Sequence, residues 1–251
     1  MEVEIFDDSE TLSRAAADLF VEQSQFAVQN RGWFSVVLSG GNTPQRMYEL
    51  LAQKPWVEQV SWERTHVFWG DERCVPKDDL RHNALHAFKL LLDHVPVPSS
   101  QIHPIYYEGS PKQTAEQYEL MLHDFFKDGE VSFDLMLLGL GNDGHTASLF
   151  PGTPVLNERT RWVSEVLVPS QKFSRVTLTI PLLERSLLTL FMVEGEEKAE
   201  VLKTILEGPS DPATYPAQLI APINGELIWM VDHAAAKLLN EIKPKKPWLE
   251  G

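Results

Sequence analysis

The residues of this chain best suited to chemistry lie in short glycine- or charge-rich segments far apart in sequence. The longest is Gly139-Leu140-Gly141-Asn142-Asp143-Gly144-His145-Thr146-Ala147-Ser148-Leu149-Phe150-Pro151-Gly152. His145 is its natural acid–base group, because imidazole changes charge near neutral pH and a nearby carboxylate fixes its tautomer and strengthens it as a base. Asp143 either orients His145 or only shapes the turn, and His145 also has a plainer reading as a cap on that turn. The segment opens with the spelling G-x-G-x-x-G, but the dinucleotide fingerprint needs a long helix directly after it. Pro151-Gly152 leaves too little chain for one, so no nucleotide site is expected.

A second segment, Ser39-Gly40-Gly41-Asn42-Thr43-Pro44, sets two glycines and a hydroxyl before a helix start. Unpaired first-turn amides make such a turn an anion or oxyanion site, with Gly40, Gly41 and Thr43 as candidates. A tight turn with Thr43 as N-cap explains the same residues. The third segment, Gly70-Asp71-Glu72-Arg73-Cys74-Val75-Pro76, follows an aromatic strand. Arg73 offers a planar fork suited to phosphate, with Asp71 beside it, whereas a solvated run of charges is the bland alternative. Cys74 is a lone cysteine, a candidate nucleophile but more simply a small buried residue. Lys172 and Arg175, in Gln171-Lys172-Phe173-Ser174-Arg175, add two cations at a strand entrance. His82 and His86 have the i, i+4 spacing of a metal pair but lack an accompanying His-Glu-x-x-His, and no Gly-x-Ser-x-Gly marks a serine hydrolase.

These segments need a scaffold that brings them together. Val3–Phe6 reads as a strand, and Asp8 and Ser9 as N-caps for a helix carrying Leu12, Ala16, Leu19, Phe20 and Phe26, stopped by Gly32. Phe34–Leu38 reads as a strand buried on both faces, followed by a helix begun at Pro44. The alternation continues with strand His66–Trp69 and helix Asn83–Leu92, strand Ile102–Ile105 and helix Gln113–Phe126, and strand Phe133–Leu140. Strands Trp162–Val168, Val176–Ile180 and Leu188–Val193, helix Glu196–Leu206, strand Leu227–Val231 and helix His233–Leu239 complete the chain. Alternation of this kind predicts an α/β fold, one domain over residues 1–251, with a mainly parallel sheet covered by helices on both faces. Ligands of such sheets bind beyond the carboxyl ends of the strands, where the three loops fall.

Composition narrows the function further. The formal charge is −14, so a nucleic-acid partner is not expected and an anionic ligand needs a local basic pocket. A single cysteine rules out an intrachain disulfide and suits a reducing cytoplasm. No apolar run approaches the ~20 residues of a membrane span, and residues 1–9 lack the pattern of a signal peptide. A cytoplasmic protein without a membrane partner is the expectation.

With Ser39 to Pro44, Asp71 to Pro76 and Gly139 to Pro151 following one another in chain order, the chain resembles the 6-phosphogluconolactonase family from the first helix through Leu239. The resemblance implies a Rossmann-like fold shared with glucosamine-6-phosphate deaminases and ribose-5-phosphate isomerases. It also implies hydrolysis of a phosphorylated sugar lactone, 6-phosphogluconolactone, in the oxidative pentose phosphate pathway. His145 then corresponds to the family's catalytic base, and Arg73, Lys172 and Arg175 to its phosphate ligands. The family often has prolines around that lysine, where this chain has Gln171 and Phe173. Amides of Gly40-Gly41 or of the Gly141–Gly144 loop are candidates to hold the oxyanion. A lactone is already an activated ester, so neither metal nor cofactor is expected, and a monomer is compatible with the sequence. Deaminases share the glycine turn and Asp-Gly-His, but resemble Asp-Glu-Tyr where this chain has Asp71-Glu72-Arg73. They also resemble Gly-His-Ile-Ala-Phe-Asn-Glu-Pro where it runs from Gly144 and His145 to Pro151, without the acidic residue. A non-catalytic sugar-phosphate sensor is the third reading.

Overall fold

Phe34–Leu38 is apolar except for Ser35, and every residue in it is buried, so this strand must be covered on both faces. The same holds for Phe133–Leu138. The computed structural model describes residues 1–127, 132–168 and 173–240. Its strands are β1 (Glu2–Phe6), β2 (Phe34–Leu38), β3 (Thr65–Trp69), β4 (Asp71–Arg73), β5 (Ile102–His103), β6 (Phe133–Leu138), β7 (Val163–Val166), β8 (Arg175–Leu178), β9 (Ser186–Val193) and β10 (Glu226–Asp232). The helices are α1 (Ser9–Arg31), α2 (Gln45–Leu51), α3 (Asn83–Ala87), α4 (Pro111–Phe126), α5 (Ile180–Leu183), α6 (Ala199–Glu207) and α7 (His233–Ala236).

Seven strands form one parallel sheet in the order β1-β10-β9-β6-β2-β3-β5. The expected mainly parallel α/β architecture is therefore present. Helix α1 begins at a capping box, in which Asp8 accepts from the Thr11 amide at 2.8 Å, and stops at Gly32, whose φ of 86° suits glycine. It lies across β1, β2, β6 and β10. Among the described residues no helix is long and apolar enough to cross a membrane.

The structure departs from the sequence reading at the second charged segment and in the last third. Residues expected as a plain loop, 70–76, contain the short strand β4. With β8 and β7 it forms a separate three-stranded antiparallel sheet in the order β4-β8-β7. A parallel pair needs a long crossover, which the short connection from β7 to β8 cannot supply. Helices also prove shorter than their periodicity indicates. α3 gives way to a π-type turn over Phe88–Leu92, α6 is preceded by a 3-10 turn over Glu196–Lys198, and α7 ends at Ala236. Apolar spacing records which face is buried, not where the hydrogen-bond pattern changes.

β2 and β6 carry the two glycine-rich loops at their carboxyl ends, and a buried carboxylate ties them together at the other end. Asp134 in β6 accepts from the Ser35 amide at 2.8 Å and the Ser35 hydroxyl at 2.9 Å, and also pairs with Arg31. Asp134→Ala leaves these donors without their acceptor and should lower unfolding free energy by about 1–3 kcal/mol. Urea denaturation with an unchanged m-value would show it. A variant as stable as the parent would mean that the pairing of β2 with β6 does not depend on this carboxylate.

Candidate functional site

Side chains alternate along a strand, so β4 turns Asp71 and Arg73 to one face and Glu72 to the other. Its partner β8 sets Arg175 directly opposite Arg73 and Thr177 opposite Asp71, so both arginines and Asp71 share a face. Arg175 is buried, which pulls its guanidinium below the ordinary arginine value, while Asp71 pulls it back up. Asp71 Oδ2 lies 3.6 Å from Arg175 Nη1 and accepts from the Ser148 hydroxyl at 2.5 Å. One buried carboxylate therefore joins the small sheet to the histidine loop.

Glu72, on the opposite face of β4, is almost fully buried. Burial pushes its carboxyl up to about 8, although the amides of Asn83, Ala84 and Arg73 all donate to it and oppose the shift. His82, also buried, lies with Nδ1 3.1 Å from Glu72 Oε2, and burial pushes its imidazole down. These contacts fasten the start of α3 against β4. His86 instead reaches the Leu80 carbonyl, so the i, i+4 histidines do not converge. Among the described residues no group of three or more histidine, cysteine or acidic side chains is placed to hold a metal ion.

His145 Nδ1 lies 2.5 Å from Asp143 Oδ1, and the His145 amide also donates to that oxygen at 3.2 Å. The bond to His145 holds the Asp143 carboxyl below its usual range. An ionised carboxylate can only accept, so it selects the tautomer with hydrogen on Nδ1 and leaves the Nε2 lone pair free. The imidazole stacks on Phe150 with ring centroids 4.1 Å apart, and the Arg175 guanidinium carbon lies 5.1 Å from the centre of the same ring. Phe150 thus touches both the candidate base and a candidate anion ligand. Two amides of this loop are already spent, since Gly141 donates to the His145 carbonyl at 2.8 Å and Gly144 to the Gly141 carbonyl at 3.0 Å. That corrects the expectation that Gly141 or Gly144 could offer N–H groups to an oxyanion. Among the described residues the amides of Gly40 and Gly41 carry no such bond.

Thr43 is not the cap of α2. That position falls to Pro44, with no side-chain cap. Gly41 takes a φ of 89°, and an added Cβ at Gly40 would collide with Asn83.

The three loops meet around a cavity of about 360 Å³ beyond the carboxyl ends of β2, β6 and β9. Gly40, Gly41, Thr43, Asp71, Arg73, Gly141, His145 and Arg175 all line it. Gly144 and Asp143 stand behind the wall, Asp143 through its bond to His145. Lys172 lies outside the described residues. The sequence reading missed Asn83, Glu194, Glu197 and Lys198, which also line the cavity. Lys198 bonds Asn142, and burial lowers its ammonium from the ordinary lysine value while Glu197 and Asp143 raise it. Gly195-Glu196-Glu197-Lys198 follows β9 as the other glycine segments follow their strands, and that position was the available signal.

Fold and site together describe a Rossmann-like α/β protein with two arginines and a histidine–aspartate pair at the carboxyl edge of its sheet. A family model for glucosamine-6-phosphate isomerases/6-phosphogluconolactonase matches residues 7–229, and the chain belongs to this family. A 6-phosphogluconolactonase of Synechocystis sp. is 43% identical over 217 residues, covering 85% of this chain and 88% of its own. The solved 6-phosphogluconolactonase of Trypanosoma brucei superposes with a TM-score of 0.84 at 26% identity, over 95% of this chain and 98% of that one. A monomeric glucosamine-6-phosphate deaminase, at 22% identity and a TM-score of 0.79, covers 95% of this chain and 100% of its own and shares the fold.

Cys74 stands next to the site, but burial pushes its thiol up to about 11, and the charge of Glu72 adds to the shift. A thiol held protonated at neutral pH is a poor nucleophile. Cys74→Ser should keep parental kcat and KM, and the parent should resist iodoacetamide at pH 7; a variant without turnover would return Cys74 to the reaction.

Proposed function

We propose that this chain hydrolyses 6-phosphogluconolactone to 6-phosphogluconate, with His145 as general base and Arg73 and Arg175 as phosphate ligands. The observation that carries this reading is the shared cavity: a histidine with its Nδ1 side engaged by Asp143 faces the same space as two arginines on adjacent strands. A guanidinium pair suits a phosphate dianion and, being partly desolvated, binds it more strongly than it would in water.

In the proposed reaction the arginines hold the phosphate and so place the lactone carbonyl near His145. Nε2 takes a proton from water as the water oxygen adds to the carbonyl carbon, and the carbonyl electron pair moves onto oxygen. The free amides of Gly40 and Gly41 are the donors available to that oxyanion. When the tetrahedral centre collapses, the bond to the ring oxygen breaks, and the imidazolium returns its proton to that oxygen as it becomes the hydroxyl of the open acid. Asp143 keeps the tautomer and offsets the charge that His145 gains. The chemistry calls on no covalent nucleophile, because the lactone is already activated. Lys172 is a further phosphate ligand in this proposal. The cytoplasm is the location proposed along with this function.

The test follows loss of 6-phosphogluconolactone with the spontaneous rate subtracted at every pH. His145→Ala should lower kcat by roughly 10²–10⁴-fold while KM changes little. Asp143→Asn should lower kcat in the same direction but less. Near-parental turnover without His145 would defeat the mechanism, and a parent inactive on the lactone but active on an amino-sugar phosphate would replace the function.

A further inference from the structure

Asn83 is 3% exposed, yet every polar atom of its side chain is used, and all of its partners belong to the cavity wall. Its Oδ1 accepts from Arg73 Nη1 at 2.6 Å. Its Nδ2 donates to the Asp71 carbonyl at 3.0 Å and to Asp71 Oδ1 at 3.3 Å. A guanidinium only donates and a carbonyl only accepts, so these partners leave one orientation for the amide. The first glycine loop closes the remaining side: an added Cβ at Gly40 would sit 1.9 Å from Asn83 Oδ1 and 2.2 Å from its Cγ.

The amide is not needed to start α3. The N-cap is His82, and it is the Asn83 backbone N–H that bonds Glu72, which any residue supplies. Burying an amide costs free energy unless its bonds return it, and here they go entirely to Arg73 and Asp71. Arg73 Nη1 has its second acceptor in the Arg81 carbonyl at 2.6 Å. That leaves Nε and Nη2 as the edge without a protein partner among the described residues, and Nε is a buried donor lacking an acceptor. An oxyanion on that edge would complete the arginine.

We propose that Asn83 is a positioning residue for phosphate selectivity: its amide locks Nη1 of Arg73 and the carboxylate of Asp71, and so presents the unpaired guanidinium edge beside Arg175. The assignment rests on reading Arg73 as a phosphate ligand. It separates two roles that the sequence merges, the arginine that touches the anion and the amide that aims it.

The experiment measures kcat/KM for 6-phosphogluconolactone and for unphosphorylated gluconolactone in the parent, Arg73→Ala, Asn83→Ala and the double variant, and compares the ratio of the two. Arg73→Ala should lower that ratio by roughly ten- to a hundredfold, the size of a lost charge-assisted contact. Asn83→Ala should lower it by about tenfold, mainly through KM for the phosphorylated lactone, and the double variant should fall no further than Arg73→Ala alone. Thermal melts confirm folding, and Asn83→Ser serves in its place if the alanine variant does not fold. A parental ratio in the folded Asn83 variant overturns the proposal, as does a double variant showing the full product of the two single losses. A parental ratio in Arg73→Ala removes the phosphate reading and this proposal with it.

Discussion

The site is organised around a charge that has been taken out of water. Asp71 is a buried carboxylate, and a buried carboxylate is tolerable only where donors surround it. Its donors come from three parts of the chain: Ser148 from the histidine loop, Asn83 from the start of α3, and Arg175 from the strand opposite. The need to satisfy Asp71 sets the position of the histidine loop relative to the arginines. His145 and Arg175 are then held on either account of the same ring, Phe150.

That arrangement explains how a chain of net charge −14 can hold an anion. The positive groups are few, partly buried and aimed into one cavity, while most acidic side chains stand elsewhere at the surface. Screening by water and salt is weak where a group is desolvated, so Arg73 and Arg175 act strongly at short range although Asp71, Glu194 and Glu197 share the wall. Glu194, with its carboxyl raised by burial, puts an acceptor for hydroxyl groups into the same wall. A polyhydroxylated ligand with one anionic end matches a wall divided in that way.

Much of this could be read from residues alone, for identifiable reasons. α1 announces both its ends, Asp8 through its side-chain cap and Gly32 through a left-handed turn. β2 and β6 are apolar without alternation, which marks them as central, and the glycine loops follow directly. β4 was not legible, since three charged residues have no apolar period and become a strand only when β8 supplies the hydrogen bonds. Asn83 was hidden for a related reason: an asparagine before a helix usually means a local cap, and its actual partners are set by tertiary folding. The oxyanion candidates in the Gly141–Gly144 loop failed because sequence shows where amides are, not which are already bonded.

The register of the small sheet sets Arg73 and Arg175 face to face, two cations where a ladder ordinarily places opposite charges. Arg73 weakens the hold of Arg175 on its charge. The protein therefore carries a local repulsion that Asp71, Glu72 and Asp143 offset. A substitution that removed one arginine would lift this cost to folding. Engineered versions of the fold that lose the pair would be expected to gain robustness and, where the pair holds the phosphate as proposed, to give up that ligand.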